Sequence, residues 1–413
     1  TKRGAQLTTV LAGIFIFFDD YFNCLTVGSV MRPVTDRFRI SREKLAYLID
    51  STAAPVCVLF PISTWAAYIF SLIAAEYSKL GQDVSPLTVF VQAVPYNIYA
   101  WITLALIAFI AYSGLDFGPM AKAEARVAKA PLPAPVVAVA KGSGKATLWD
   151  IYVPVFTLII ATIVAMLALG GLFGGATVRE AFEATDSATA MMYGVFIAVV
   201  VAISMYGARR LLTLSENMEA IIEGMKSMMI SIVVLTLAWS IGGVTEKLGT
   251  GDFVATLVTG NIPTFLLPLV AFLTACVIAF ATGTSWGTFA IMLPIAVPMA
   301  VASGLHIPML IGAVLAGGVF GDHCSPISDT TILSSTGADC NHIEHVRTQL
   351  PYALLAAGAA AVGFIAAGIS GSAWVALGIS VALIIGAMYF ISKYVAPAPA
   401  ATEPAAQHRK KKK

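Results

Sequence analysis

Apolar residues come in long runs, and several of these runs are interrupted by short polar stretches. Leu7 to Met31 is broken at Asp19-Asp20-Tyr21-Phe22-Asn23, and both its flanks are basic, Lys2 and Arg3 before it and Arg32, Arg37, Arg39, Arg42 and Lys44 after it. Basic flanks favour the cytoplasmic side. The segment therefore predicts a re-entrant hairpin with the acids at its tip, which is tolerated only where it lines a cavity. Leu45 to Ala75 predicts one crossing, interrupted at Asp50 to Pro55 and again near Pro61, and Val94 to Tyr112 returns. Gly114 to Thr147 sets Lys and Arg among Ala, Pro and Gly and predicts a flexible cytosolic linker. Ile151 to Leu169, Ala188 to Tyr206 and Met228 to Val244 predict plain spans, with an interfacial amphipathic helix from Arg209 to Met225. Thr264 to Ala302 is too long for one pass: about 39 residues of helix reach about 58 Å, against a hydrocarbon core of about 30 Å. Broken at Thr282 to Thr288, it predicts a second hairpin. Pro308 to Ser335, Pro351 to Ile369 and Trp374 to Ile391 complete the spans, and the tail from Ala396 ends in Arg409 and four lysines.

The last interrupted run holds the densest chemistry. Phe320 to Ser335 carries Asp322 and Asp329, and Gly321 and Pro326 break the helix so that backbone carbonyls stand free beside Ser325, Ser328, Thr330 and Thr331. That offers a hard cation a set of oxygen ligands. A second copy lies at Glu43 to Pro55, where Asp50-Ser51-Thr52 matches Asp329-Thr330-Thr331 and each triplet has another acid seven residues earlier, Glu43 and Asp322. Each copy follows a hairpin (tips Phe18 to Asn23 and Thr282 to Thr288) and precedes one further span. Repeated broken helices at corresponding positions are the signature of a secondary transporter. The fold class read from the sequence is an all-α polytopic membrane protein with inverted-topology repeats, re-entrant hairpins and discontinuous helices. Its divisions are a first repeat at 1–113, the linker at 114–147, the second repeat with its preceding spans at 148–395, and a basic tail at 396–413.

Composition agrees. The 413 residues are 58% hydrophobic and 12% charged, with mean hydropathy +0.84, whereas soluble domains carry about 25% charged residues. The five cysteines show no CxxC spacing. Cys340-Asn341-His342 with His345 is the nearest approach to a metal cluster and lacks a second close cysteine, so no cofactor is expected. All Lys and Arg except Lys79, Arg179 and Lys247 fall on the cytosolic side of this topology, which puts the linker and the C-terminus in the cytoplasm of a multi-pass inner-membrane protein and gives the two repeats opposite orientation. Three spans precede the second hairpin and none the first, so up to three helices are expected upstream of Thr1 in the complete protein.

The same topology leaves five acids at membrane depth, Asp19, Asp20, Asp50, Asp322 and Asp329, and no Lys or Arg. Unpaired carboxylates there cannot all stay ionised, so each holds a proton or a metal cation. Such a site describes a cation/proton exchanger rather than an enzyme. The inverted repeat brings Asp50 and Asp329 toward the midplane as the expected Na+ ligands, with Ser51, Thr52, Ser328, Thr330, Asn23, Thr284 and Ser285 as neighbouring polar groups. His323 reads as a proton relay or as the hydrogen-bond partner of an acid; Trp65 and Trp286 read as path lining or packing.

The chain resembles the NhaC-type Na+/H+ antiporter family of the wider ion-transporter superfamily. The residues that carry the resemblance are Phe17 to Asn23, Ser41 to Tyr47 through Asp50 to Pro55, Gly283 to Thr288, and Gly321 to Thr331 with Gln349-Leu350-Pro351-Tyr352. The resemblance implies exchange of Na+ for H+ by alternating access in a lipid bilayer, with no nucleic-acid partner; a homodimer is compatible with it. Family members usually carry additional N-terminal spans, and relatives include Na+-coupled exchangers of malate, lactate and other organic acids. An organic-acid or amino-acid exchanger is therefore the alternative within transport, though an organic anion favours a fixed positive charge that this core lacks. An intramembrane aspartyl protease is the distant alternative, and its GxGD motif is absent, with Val319 in place of the first glycine.

Overall fold

The computed structural model describes residues 1–129 except 83, 146–226 except 148, and 262–394, with isolated positions between 229 and 248. In chain order the helices are α1 (Lys2–Phe15), α2 (Asp20–Arg37), α3 (Arg42–Cys57), α4 (Thr64–Lys79), α5 (Pro86–Ala93), α6 (Ile98–Ser113), α7 (Gly118–Lys129), α8 (Trp149–Leu169), α9 (Val178–Ala184) and α10 (Ser187–Ala208). They continue with α11 (Leu267–Thr282), α12 (Ser285–Ser303), α13 (Ile307–Cys324), α14 (Asp329–Ala338), α15 (His342–Ser370) and α16 (Ala373–Tyr394). Residues 214–226, within the expected interfacial helix, are helical, and no strand occurs among the described residues. Among the described residues, seven stretches are long and apolar enough to cross a membrane. All but two positions of the expected span at 228–244, and the basic tail, lie outside the described residues.

The repeat is visible in the order of elements. A hairpin (α1–α2), a broken helix (α3–α4) and a span (α6) recur as α11–α12, α13–α14 and α15. Each hairpin tip packs into the break of the helix that follows it. In the first repeat Thr64 N donates to the Phe18 carbonyl at 2.9 Å and Phe17 stacks on Phe60 with ring centroids 4.6 Å apart. In the second, Ser325 Oγ donates to the Phe280 carbonyl at 2.9 Å, and the tip residue Gly283, in the left-handed region at φ +69°, lies against Ile327. The first residues after each tip are capped by Asp19 and Thr284, whose side chains accept from Phe22 N and Gly287 N.

The centre of the molecule is α13, 89% of whose span is buried, whereas the Tyr152–Gly174 stretch of α8 is 17% buried and lies at the periphery. What lets α13 sit there is the absence of side chains at Gly317 and Gly321, one turn apart: a Cβ would stand 2.3 Å from the Phe272 carbonyl and 2.5 Å from the Cys276 carbonyl of α11. With no water to expel, membrane helices associate through such close contacts.

Three expectations are corrected. The break in the first repeat lies at residues 58–63 and not at Asp50 to Pro55. Pro55 is inside α3; its missing N–H costs one bond, to the Ser51 carbonyl, and the helix runs on for two residues. Asp50 is therefore mid-helix, whereas Asp329 is the first residue after a break, so the two are not equivalent. In the matched elements the residue in the place of Asp329 is Thr64, and the one in the place of Asp322 is Pro55. The stretch read as linker begins with a folded helix, α7, whose Met120 and Ala123 are buried; its Ala-rich composition suits a helix as well as a coil, and only the neighbours decide. The remainder, residues 130–145, lies outside the described residues. Finally, Lys44, expected on the cytosolic flank of the first hairpin, is fully buried, because Asp116 and the ring of Tyr352, 6.0 Å away, receive its charge.

Candidate functional site

Two carboxylates are enclosed where the broken helices meet: Asp50 of α3, 0% exposed, and Asp322 of α13, 1% exposed. Both hold one oxygen in a network and leave the other bare. Asp50 Oδ2 accepts from Gln349 Nε2 at 2.6 Å and Thr331 Oγ1 at 3.2 Å, with His345 Nε2 also at 3.2 Å. Asp322 Oδ2 accepts from Ser285 Oγ at 3.1 Å and Thr330 Oγ1 at 3.2 Å. Asp50 Oδ1 and Asp322 Oδ1 are buried without a partner. An anionic oxygen in that state is costly, and a proton or a cation on it removes the cost.

The hydroxyls accommodate either occupant. Ser285 Oγ is 3.1 Å from both the Gly318 carbonyl and Asp322 Oδ2, and one hydroxyl proton serves only one of them. With Asp322 ionised the proton goes to the carboxylate; with Asp322 protonated on Oδ1 the neutral carboxyl is the weaker acceptor and the hydroxyl proton turns to the carbonyl. Thr330 Oγ1 has the same choice between Ser328 Oγ and Asp322 Oδ2. Thr331 joins the two acids, its Oγ1 lying 3.5 Å from the Asp322 carbonyl. Thr330 and Thr331 sit together because Ser328 caps α14, accepting from Thr331 N at 3.2 Å, and the first turn of α14 then faces both α3 and α13.

The other expected residues divide. Asp329 is half-buried at the edge of the pair, where Tyr21 donates to its Oδ2 and Thr330 N to its Oδ1. Asp20 is buried with Asp19, Asp329 and Asp322 as charged neighbours. Asp19, half-buried, caps α2 and accepts from Thr64 Oγ1 at 3.2 Å. Asn23 braces the first hairpin by donating to the carbonyls of Gly13, Ile16 and Thr52, and Thr284 caps the second. Ser51 Oγ is buried without a hydrogen bond of ordinary geometry. Thr52 returns its hydroxyl to the Leu48 and Ile49 carbonyls of its own helix and packs on Gly13, apart from the pair.

His345 and Gln349 were not singled out as partners of Asp50, from which 295 and 299 residues separate them; the only signal was Gln349 within the Gln-Leu-Pro-Tyr motif. His323 bonds the backbone carbonyl of Asp50 at 3.1 Å and the Tyr99 hydroxyl at 3.1 Å, not a carboxylate. Trp65 and Trp286 pack edge to face at 6.2 Å. Cys340, His342 and His345 turn to different partners, and among the described residues no three His, Cys, Asp or Glu side chains converge as on a tightly held metal. The cation-binding capacity of the site lies in carboxylate, hydroxyl and carbonyl oxygens, the ligand type of alkali and alkaline-earth ions.

A Haemophilus influenzae protein of uncharacterised function is 42% identical to this chain over 378 residues, 89% of this chain and 72% of its own length. The malate-2H(+)/Na(+)-lactate antiporter of Bacillus subtilis is 32% identical over 136 residues, 32% of this chain and 28% of that one. The solved Alcanivorax borkumensis YdaH transporter aligns over 94% of this chain and 82% of its own at 14% identity with a TM-score of 0.49. The model of the Na+/H+ antiporter family matches residues 56–369, which takes in Ser285, Asp322, Thr330, Thr331 and Gln349 and begins six residues after Asp50. A family match over three quarters of the chain, covering the second hairpin and both halves of the broken helix that carries Asp322, makes this protein a member of the Na+/H+ antiporter family.

Proposed function

We propose that the protein exchanges Na+ for H+ by alternating access, with Asp50 and Asp322 as the carboxylates that carry the two ions in turn. The observation behind this reading is the pair of buried, partnerless oxygens, Asp50 Oδ1 and Asp322 Oδ1, on acids whose second oxygens are held by Ser285, Thr330, Thr331 and Gln349. Na+ suits that oxygen set, a proton suits the same two atoms, and binding of one displaces the other. Asp329, half-buried and tethered by Tyr21, is the station through which an ion reaches the enclosed pair, and Asp20 stands beside it. The basic flanks of the first hairpin and of α7 support a cytoplasmic placement for these segments in an inner membrane.

A second reading is exchange of an organic acid. It is favoured by Lys44, a buried cation in a core expected to hold none, and by the partial match to the malate/lactate antiporter. Lys44 is already neutralised by Asp116, so an incoming carboxylate has to displace that partner.

The test uses the full-length protein in proteoliposomes, reading internal pH after additions of Na+, Li+, K+, malate and lactate. A pH response to Na+ without any organic solute supports the first reading. A response that requires malate or lactate replaces it with the second.

A further inference from the structure

Asp50 lies about 12 Å along α3 from its first residue, at about 1.5 Å per residue, and the side chains between them are not those of a plain packing face. Tyr47, one turn from Asp50, has its ring 4.9 Å from the ring of Tyr352. Lys44, one turn further, is fully buried against Asp116, and Tyr352 donates to the same Asp116 Oδ1 at 3.1 Å. A crevice too tight to admit a water molecule lies between Tyr47, Ser51, Tyr99, Thr103, Gln349 and Tyr352. It reaches the partners of Asp50 at one end and the two tyrosines at the other. Four polar atoms on its wall, Ser51 Oγ, Tyr47 Oη, Thr103 Oγ1 and Gln349 Oε1, are buried without a hydrogen bond of ordinary geometry, the Tyr47 hydroxyl facing Ser51 and the Tyr99 hydroxyl facing Thr103. Buried polar groups are normally paired; a row of poorly paired ones along a crevice suits a passage whose occupant is transient.

The outer end of that row is covered by α7 and the turn before it. Phe117 N donates to the Tyr352 hydroxyl at 3.1 Å. Glu124 accepts from Ser41 N at 2.7 Å and pairs with Lys2, and Arg126 pairs with Glu43. The strap thus engages the N-cap and first turn of α3 immediately before Lys44.

We infer that this is a gated passage: the cation and the proton move between Asp50 and the α7 face past Ser51 and Thr103, the Tyr47–Tyr352 pair is its plug, and the buried Lys44–Asp116 ion pair is the bolt that keeps the plug shut. A buried ion pair is a suitable bolt because removing one partner leaves an uncompensated charge that admits water, whereas the intact pair excludes it. The inference rests on the exchange reading for the identity of the traffic, not for the existence of the passage.

The test is thiol accessibility at Thr103→Cys in full-length protein whose five native cysteines are replaced by alanine. A membrane-impermeant quaternary-ammonium methanethiosulfonate is added to one side of the proteoliposomes at a time. Lys122→Cys, exposed on α7, identifies which side is the α7 face. With the bolt intact, Thr103→Cys reacts slowly from that face. In the Lys44→Met variant, which leaves Asp116 uncompensated, the rate from that face rises at least ten-fold and the rate from the other face is unchanged. The charge-reversed Lys44→Asp/Asp116→Lys variant stays slow. Tyr352→Ala, which thins the plug and spares the charges, also reacts fast and serves should Lys44→Met not reach the membrane. Equal rates in bolted and unbolted proteins of matching dispersity, or an increase confined to the opposite face, overturn the gate. Labelling needs no transport, so variants that gate as described yet move no protons with Na+ count against the exchange reading alone.

Discussion

Gln349 on α15 donates to Asp50 on α3 across 2.6 Å, and the same amide nitrogen lies 2.8 Å from the His323 carbonyl. One side chain thereby ties together the helix that carries Asp50, the helix that carries Asp322 and the span that follows. A charged acceptor makes this contact worth about 1.5–3 kcal/mol. Gln349→Leu is therefore expected to raise the Na+ concentration for half-maximal proton movement by about ten- to a hundred-fold, read as fluorescence dequenching in proteoliposomes. An unchanged half-maximum removes Gln349 from the ion site.

Asp50→Asn and Asp322→Asn keep the shape of the side chain and cannot be ionised, so each is expected to abolish Na+-dependent proton movement at normal membrane levels. Asp329→Asn, at the half-buried edge, is expected to leave measurable exchange at raised Na+. Wild-type exchange in either of the first two variants, or complete loss in Asp329→Asn alone, inverts this ranking.

Thr330→Ala and Ser285→Ala each remove one neutral donor to Asp322 and leave the charge in place. About 1 kcal/mol is at stake in each, so apparent Na+ affinity falls roughly five-fold while the maximal rate holds. The competing outcome is a loss of rate at saturating Na+, which assigns these hydroxyls to proton transfer instead.

Gly321→Ala places a methyl 2.5 Å from the Cys276 carbonyl, where the obstacle is backbone and cannot rotate away. Overpacking of this kind costs about 1–3 kcal/mol, and the detergent-solubilised protein should melt several degrees lower. Gly358→Ala on α15, where no atom stands within 4 Å of the new methyl, is the control and should not lower the melting temperature.

Met120→Ala tests whether α7 is a packed helix or a spacer. Met120 is 0% exposed, and truncating a buried methionine costs about 2–5 kcal/mol; Lys122→Ala, on the exposed face, is expected to stay within about 0.5 kcal/mol. Equal melting temperatures for the two variants restore the spacer.

The sequence by itself determined the class of molecule and most of its architecture. Runs of apolar residues with polar interruptions at Asp19 to Asn23 and Thr282 to Thr288 are enough for two hairpins, because only a membrane-inserted chain sustains that hydropathy and only a turn tolerates those breaks. Asp322 with Ser328 and Thr330 was legible as oxygen chemistry on a broken helix, since the helix breaker and the ligands are neighbours in the chain. Tertiary structure alone decided the rest. Asp50 was paired by sequence spacing with Asp329, but spacing measures position along the chain, and its partners in space, Thr331, His345 and Gln349, come from faces that packing brings together. Lys44 was placed on a cytosolic flank because a charge in isolation belongs in water; Asp116, 72 residues away, cancels that charge, and a helix whose composition is ambiguous then covers the pair. Hydropathy reports how each residue meets solvent or lipid on its own, whereas burial of a charge depends on a partner that local sequence does not name.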